Sequence, residues 1–577
     1  EPTVCVMKNI CGSKCSLACF LNFDHEKECQ ISLPTRLPEE AKVSPVFAGR
    51  KELIPPPTLC PGCRQQRRMT FRNERQLYRR KCDVTGKDII SVFSPDSPFK
   101  VCDKIHWYSE AFDPFDFARP FDPARSFFKQ FHDLMLQIPL PSLRVESSEN
   151  CDFNNDMSDS ANCYLCSRTH LSQNLLYTYR GNKSQDSMDC TQITNCSFLY
   201  GCTECVNCQD SRFLTYCNDC ATCAFLLDCR GCMDCFLCHN LRNKRFCFGN
   251  EQLSKESYAQ RLKEFASGSW QSQQEMLGRY QQMRHQAIRP ARLIIQCENV
   301  SGDNMQRCKN CHDSFSVQEC HDCRYLRDVK LHHDAMDEYS GGRGSELMYE
   351  VTSGSGSYGV GFSLRASNSQ NVLYSLFTSA SKNIFGCIGM RRSSFCILNK
   401  QYTKEEYDRL VPQIIGRMRK DKEWGEFLPI QYSLFVYNET VANDHFPLTE
   451  EQVKMNGWRW KKPDDTIPDV QRIIPAEQLP DSIEGIPDDI LNWAIRCAES
   501  KRPFKVTSQE LANYRQQRIP VPRTHPDVRY RTRMAEQNPH KLWGRECAKC
   551  RSPITTSFSP DKPEIVYCES CYLSIVY

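Results

Sequence analysis

The segment "CNDCATCAFLLDCRGCMDCFLCH" places seven cysteines in the twenty-three positions from 217 to 239, at spacings of three or six. From 197 onward the unit is Phe-Leu-x-x-Cys-x-x-Cys-x-x-Cys, and Phe198, Phe213 and Phe225 open successive copies, fifteen and then twelve residues apart. Such a unit holds a short strand, a turn and a second short stretch. It is too small to bury apolar surface alone and must stack on its neighbours. The expected fold is a β-solenoid-like stack. Inward positions of a stack recur down its axis and favour small side chains, so cysteine is expected there chiefly as a small buried hydrophobe. Metal ligation and disulfides are the competing readings for these thiols.

Two internal repeats organise the chain. "CFLCHNLRNKRFCFGNEQLSKESY" (235–258) matches "IFGCIGMRRSSFCILNKQYTKEEY" (384–407) at an offset of 149, with Cys238 on Cys387, Cys247 on Cys396, Asn250 on Asn399, Lys255 on Lys404 and Tyr258 on Tyr407. In the second copy Cys229 is replaced by Thr378 and Cys232 by Ser381. A tetrahedral zinc site does not survive loss of its thiolates, which favours packing over ligation. Each copy leads into a helix with a Ser or Thr cap and a charged first turn.

The second repeat joins the termini. Residues 67–98 find their match within 531–563, at an offset of 465, with Met69 on Met534, Tyr78 on Trp543, Cys82 on Cys547 and Ser94-Pro95-Asp96 on Ser559-Pro560-Asp561. The expected class is mainly β with helical insertions: two β-solenoid-like segments flanked by two homologous zinc-ribbon or treble-clef-like modules. The boundaries read as a zinc module (1–110), a helical connection (111–145), the first Cys-rich stack (146–250), helices (251–292), the second stack (293–400), a helix (401–424), a Pro-rich linker (425–484) and the C-terminal zinc ribbon (485–577).

Metal belongs to the modules. Cys547 and Cys550, with Cys568 and Cys571, form two Cys-x-x-Cys knuckles whose four thiolates suit tetrahedral Zn²⁺. Cys60 and Cys63 form a second pair, whose other ligands are expected among Cys11, Cys15, Cys19 and Cys29. Cys11 and Cys15 stand as the candidates, giving about two zinc ions per chain. Opposite Cys550, Cys568 and Cys571 the N-terminal module has Thr85, Asp103 and His106, and opposite Cys60 and Cys63 the C-terminal module has His525 and Val528, with Ser500 following Cys497. Each module has therefore lost one site.

With "PPPTLCPGCRQQRRMTFRNERQLYRRKCDVTGKDIISVFSPDSP", the repeats ending "NLRNK" and the closing "KLWGRECAKC…TTSFSPDKPEIVYCESCYL" on the page, the chain resembles a family of zinc-ribbon-flanked, Cys-rich-repeat proteins common in Patescibacteria, the candidate phyla radiation. The resemblance implies the architecture and a bacterial cytoplasmic setting, and transfers no activity. Val528 and Ser500 depart from the family's pattern.

Residues 64–81 hold seven Arg and one Lys against one Glu, a local +7 in a chain whose total is only +4. Arg64, Arg67, Arg68, Arg72, Arg75, Arg79, Arg80 and Lys81, interleaved with Phe71 and Tyr78, suit a phosphate backbone. Arg529, Arg531 and Arg533 give the second module a weaker version. The equal alternative is that these arginines brace the modules. Cys235–His239 and Cys308–His312 spell a haem-attachment string, and Gly354-x-Gly356-x-x-Gly359 a dinucleotide fingerprint, but no helix follows the glycines. His332-His333-Asp334 could ligate metal, but an exposed loop is the preferred reading. No run of eighteen apolar residues suggests a membrane span. The expected function is a non-enzymatic, cytoplasmic zinc scaffold that contacts RNA or a ribonucleoprotein, such as the ribosome, through its Arg-rich modules. The alternatives are a structural or protein-interaction protein, and an enzyme with a groove along the stack, for which no acid–base pair or small-molecule substrate is identifiable.

Overall fold

The computed structural model describes residues 54–263, 268–462 and 470–577. Two large sheets dominate it, one of 12 and one of 15 strands, nearly all parallel. Register repeats along the chain: Thr191 pairs with Thr203 and Thr203 with Thr215, so one turn of the stack takes twelve residues. Within each turn every third residue has positive φ, as in Asn195 (54°), Phe198 (55°), Gly201 (65°), Glu204 (56°) and Asn207 (53°). The turn is thus four sides of three residues, with a left-handed corner closing each side. Non-glycine residues adopt that conformation at a cost, least for Asn and Asp. Many corners are Asn or Asp, and they form rows: Asn150 donates to Asn162 (2.9 Å), Asn162 to Asn174 (3.2 Å) and Asn174 to Asp186 (2.8 Å).

Following the three backbone N–H groups of one side explains the cysteines. The middle residue bonds forward: Thr191 N–H donates to the Cys202 carbonyl of the next turn (2.9 Å). The corner residue bonds backward: Tyr216 N–H donates to the Thr203 carbonyl (3.0 Å). The N–H of the inward residue points into the interior, where only a side chain of the preceding turn can accept it. Cys196 N–H donates to Ser184 Oγ (3.1 Å), Cys208 N–H to Cys196 Sγ (3.4 Å) and Leu214 N–H to Cys202 Sγ (3.4 Å). Each acceptor then donates to the carbonyl two residues before it, as in Cys196 to Thr194 (3.3 Å) and Ser184 to Asn182 (2.9 Å). In the second stack one column reads Ser363, Ser375, Cys387, with Ser375 N–H on Ser363 Oγ (3.1 Å) and Cys387 N–H on Ser375 Oγ (3.1 Å). Cysteine and serine do the same job, and the thiol fills more of the narrow core. Cys190 to Cys247 form one buried cluster with Ile193, Leu199, Leu214 and Leu226. None of the described cysteines is in a disulfide.

A substitution tests this account. Cys196→Ser keeps both hydrogen bonds and is expected to change unfolding free energy by less than about 1 kcal/mol. Cys196→Ala strands the Cys208 N–H in an apolar interior and is expected to cost about 1–3 kcal/mol. Chemical denaturation of the two variants measures the difference. Equal costs would show that the thiol acts by volume alone.

The repeat at offset 149 includes the device that ends each stack. Asn250 offers its side-chain amide to His239 as a further strand would, accepting from the His239 N–H (2.8 Å) and donating to its carbonyl (3.0 Å). Asn399 does the same for Ile388 (2.8 and 2.9 Å). A short antiparallel strand follows, Glu251–Gln252 or Lys400–Gln401, and then a helix. The expected Thr cap is Thr403, which forms a capping box with Glu406 on Lys404–Lys420, whose buried face is Tyr407, Val411, Ile414, Ile415 and Met418.

The described residues divide into two compact units: those of 54–143 with 292–461, and those of 144–291 with 462–577. The N-terminal module therefore belongs with the second stack, and the C-terminal module with the first. Residues 425–461, expected as linker, are part of the first unit: Tyr437, Val441, Ala442 and Val453 share a core with Met69 and Tyr339. Among the described residues no helix is long and apolar enough to cross a membrane.

Candidate metal centre and arginine clamps

Cys547 follows the first strand of a hairpin, Trp543–Glu546 paired with Pro553–Thr556, and Cys568 caps the terminal helix Glu569–Val576. Arg551 takes the left-handed conformation (φ 63°), which turns the knuckle so that its N–H reaches the Cys547 carbonyl (2.9 Å) while Cys547 N–H reaches the Ser552 carbonyl (2.9 Å). The Sγ atoms of Cys547, Cys550, Cys568 and Cys571 lie within 4.8 Å of one another. Cys568 N–H donates to Cys547 Sγ (3.2 Å). Burial pushes the Cys547 thiol up, but backbone N–H groups of Cys550, Cys568 and Lys549 outweigh it and bring its pKa down to about 6. Four converging thiols, one already favouring thiolate, fit a tetrahedral soft-to-borderline cation such as zinc. Such a set leaves no open coordination position, so it suits a structural ion.

In the N-terminal module Cys60 caps the helix Pro61–Met69, and its Sγ lies 3.2 Å from that of Cys63 in the helix's first turn. The candidates Cys11 and Cys15 lie outside the described residues. Both lost sites keep the knuckle. Cys82 Sγ accepts from Thr85 N–H (3.2 Å) and Asp103 N–H (3.2 Å), and Cys497 Sγ accepts from Ser500 N–H (3.3 Å) and His525 N–H (3.2 Å). One sulfur thus holds a turn that elsewhere presents two ligands. Among the described residues the Cys547 group is the one with three or more side chains placed to hold a metal ion.

The arginines expected to face phosphate are mostly interior. Arg64, Arg68 and Arg72 are fully buried and Arg67 nearly so. Arg64 pairs with Asp337 (2.8 Å), Arg68 with Asp337 (3.1 Å) and Glu350 (2.7 Å), Arg67 with Glu350 (2.9 Å) and Glu426 (2.7 Å), and Arg72 with Glu74 (2.7 Å). Burial opposes the charge of Arg64, but Asp337 and Glu350 outweigh it and raise its pKa above the ordinary guanidinium value. These four do not form a surface that a polyanion could reach. The reason is partners on a distant strand: Asp337 and Glu350 stand on the outer wall of the second stack, where the helix Pro61–Met69 docks. Arg80, its side chain largely buried, is tied to Asp83 (2.8 Å), and the exposed Lys81 to Asp88 (2.8 Å), both aspartates being on the module's own surface. Arg75 is half-buried, and Arg79 and Arg531 are exposed.

The C-terminal module repeats the arrangement. Its helix Pro526–Ala535 sets Arg529 (3.0 Å) and Arg533 (2.9 Å) on Asp189, a buried corner of the first stack. The offset of 465 carries Arg64 to Arg529 and Arg68 to Arg533. Asp189 and Asp337 correspond as well, 148 positions apart. The offset reaches 149 beyond the turn where His332 pairs with Ser345, thirteen residues on rather than twelve. Two arginines one helical turn apart grip one aspartate at the same place in each stack. Sequence reasoning missed Asp189, Asp337 and Glu350; the matching aspartates at offset 148 were the available signal.

Three other motifs are absorbed by the stacks. Gly356 and Gly359 are left-handed corners (φ 60° and 65°) beside the strand Tyr358–Gly361. Cys235, Cys238, Cys308 and Cys311 are buried inward residues. His332, expected in an exposed loop, is wholly buried on the strand His332–Tyr339. No family model matches this chain, and no curated protein matches it either.

Proposed function

We propose that the chain is a non-enzymatic scaffold: two β-solenoid units, each braced by a zinc-ribbon-type module, that offers its repetitive outer faces to protein partners. About two zinc ions per chain complete it, one on Cys547, Cys550, Cys568 and Cys571, the other on Cys60 and Cys63 with Cys11 and Cys15 as candidate partners. The observation that carries this reading is the double clamp, Arg64 and Arg68 on Asp337 and Arg529 and Arg533 on Asp189, because it spends the arginines inside the fold. Regular rows such as Asn150, Asn162, Asn174 and Asp186 present one chemistry at a fixed spacing, as repeat proteins that bind along a face do.

Contact with RNA or a ribonucleoprotein would fall to the outward Arg79, Lys81 and Arg531. Filter binding of structured and single-stranded RNA at low and moderate salt separates the readings. The scaffold reading expects no steeply salt-dependent affinity, and it expects Arg64→Gln with Arg68→Gln to lose folding rather than binding alone. A steep salt slope in the wild type, flattened when Arg79, Lys81 and Arg531 are replaced by Gln in a folded protein, would overturn it in favour of RNA.

A further inference from the structure

One turn of the second stack carries two ionisable side chains in its sealed interior. His332 and Glu338 are both wholly buried, with Nε2 3.3 Å from Oε2. Glycines make the room: a Cβ on Gly341 would lie 2.5 Å from Glu338 Oε1 and 2.8 Å from His332 Nε2, and one on Gly354 2.8 Å from Oε1. The corresponding residues of the first stack, 148 positions earlier, are Ser184 and Cys190. The turn therefore closes without a charged pair, and the pair calls for another explanation.

Its surroundings fix which proton matters. His332 Nδ1 lies 2.7 Å from the Lys330 carbonyl and keeps its hydrogen, so Nε2, facing Glu338, is the atom that titrates. Neither Glu338 oxygen has a hydrogen-bond donor of good geometry. The interior groups on the turn before are the thiols of Cys320 and Cys323, and those on the turn after are Ser345, Met348, Val351 and Gly354, none of them charged. The outer wall of the same strand holds Asp337, gripped by Arg64 and Arg68, and Tyr339, whose hydroxyl meets Glu74 (3.4 Å). Glu350 of the next turn completes the grip through Arg67 and Arg68. The titratable turn is the one on which the N-terminal module docks.

We propose that His332 and Glu338 form a proton-dependent latch for that module: the one proton held between them keeps the turn in the shape that the helix Pro61–Met69 clamps. With the proton present, imidazolium faces carboxylate. Without it, a bare Nε2 lone pair faces a buried carboxylate that has no other partner, and the turn is destabilised. Burial alone would lower the His332 pKa, but the adjacent Glu338 carboxylate raises it above the ordinary value. An opened turn would let His332 titrate near its free value of about 6.5. Docking stability from the pair is thus complete below that value and is lost as pH rises through the raised one.

Hydrogen exchange of the Arg64–Met69 amides, corrected for intrinsic rates and followed from about pH 6 to about pH 10, tests the latch, with Val528–Arg533 of the other docking helix as an internal control. Between the free value and the docked-state pKa, protection of the first helix is expected to fall by up to about tenfold per pH unit, and to level off above it, while the second holds. His332→Ser with Glu338→Cys, which installs the first stack's residues, is expected to abolish the slope. Zinc loss would not mimic the result, because thiolate sites strengthen as pH rises. Should the double variant fail to fold, the wild-type His332 ring resonance still decides. Titration at or below the free value, or parallel loss of protection in both helices, would overturn the proposal.

Discussion

Asp189→Asn is expected to destabilise the unit built from 144–291 and 462–577 by about 3–5 kcal/mol, although it changes a single atom of one side chain. Asp189 is almost wholly buried and is the carboxylate on which Arg529 and Arg533 converge. The amide leaves two guanidinium groups in a low-dielectric contact with no compensating charge, and the loss is dominated by their stranded charge. A companion variant isolates that term. Asp189→Leu with Arg529→Met and Arg533→Met removes all three charges together and is expected to recover most of the loss, since apolar replacements of buried ion clusters are often neutral. Chemical denaturation of the three proteins reads both effects. A cost below about 1 kcal/mol for Asp189→Asn would mean that water reaches the clamp and that it braces little.

Cys547→Ser is expected to unfold the C-terminal hairpin and helix and to abolish metal binding there. Cys547 is the buried member of the four, and its sulfur also accepts the N–H of Cys568, so both the coordination and the turn depend on it. Metal-coupled folding of such a site is worth on the order of 10 kcal/mol, far more than a hairpin and one helix of this size supply alone. The expected signature is loss of dispersed resonances from 543–577 while those of the first stack persist. A ribbon that stays folded and loaded with three thiols would show that the fourth is dispensable.

What the sequence discloses follows the range of the interactions. The Cys547 group is local: two Cys-x-x-Cys knuckles carry their own geometry, and the structure brings the four sulfurs together. The parallel stacks were legible from repetition, because a short unit can bury itself only against its neighbours. The length of a turn was hidden by the Phe-Leu spacing. Phe198 and Phe213 are a turn and one side apart, whereas Phe213 and Phe225 are one turn apart and stack at 4.9 Å. The cysteine spacing of three was the better guide, since it marks the inward residue of every side. The arginines were misleading for a different reason. Arg64 meets Asp337 across 273 residues of chain, and no local pattern separates a guanidinium that will face carboxylate from one that will face phosphate. His332 misled in the same way, its interior place depending on glycines at 341 and 354.

The central claim is that the cysteines are of two kinds: inward residues of the stacks, which accept backbone N–H groups as serine does, and module thiols, which hold metal. Elemental analysis of the purified full chain tests it most directly. The account predicts about two zinc ions per chain, unchanged by Cys196→Ser and reduced by one in Cys547→Ser. Six or more per chain, falling when Cys196 or Cys208 is replaced by Ser, would contradict it and make the stack interior a metal store.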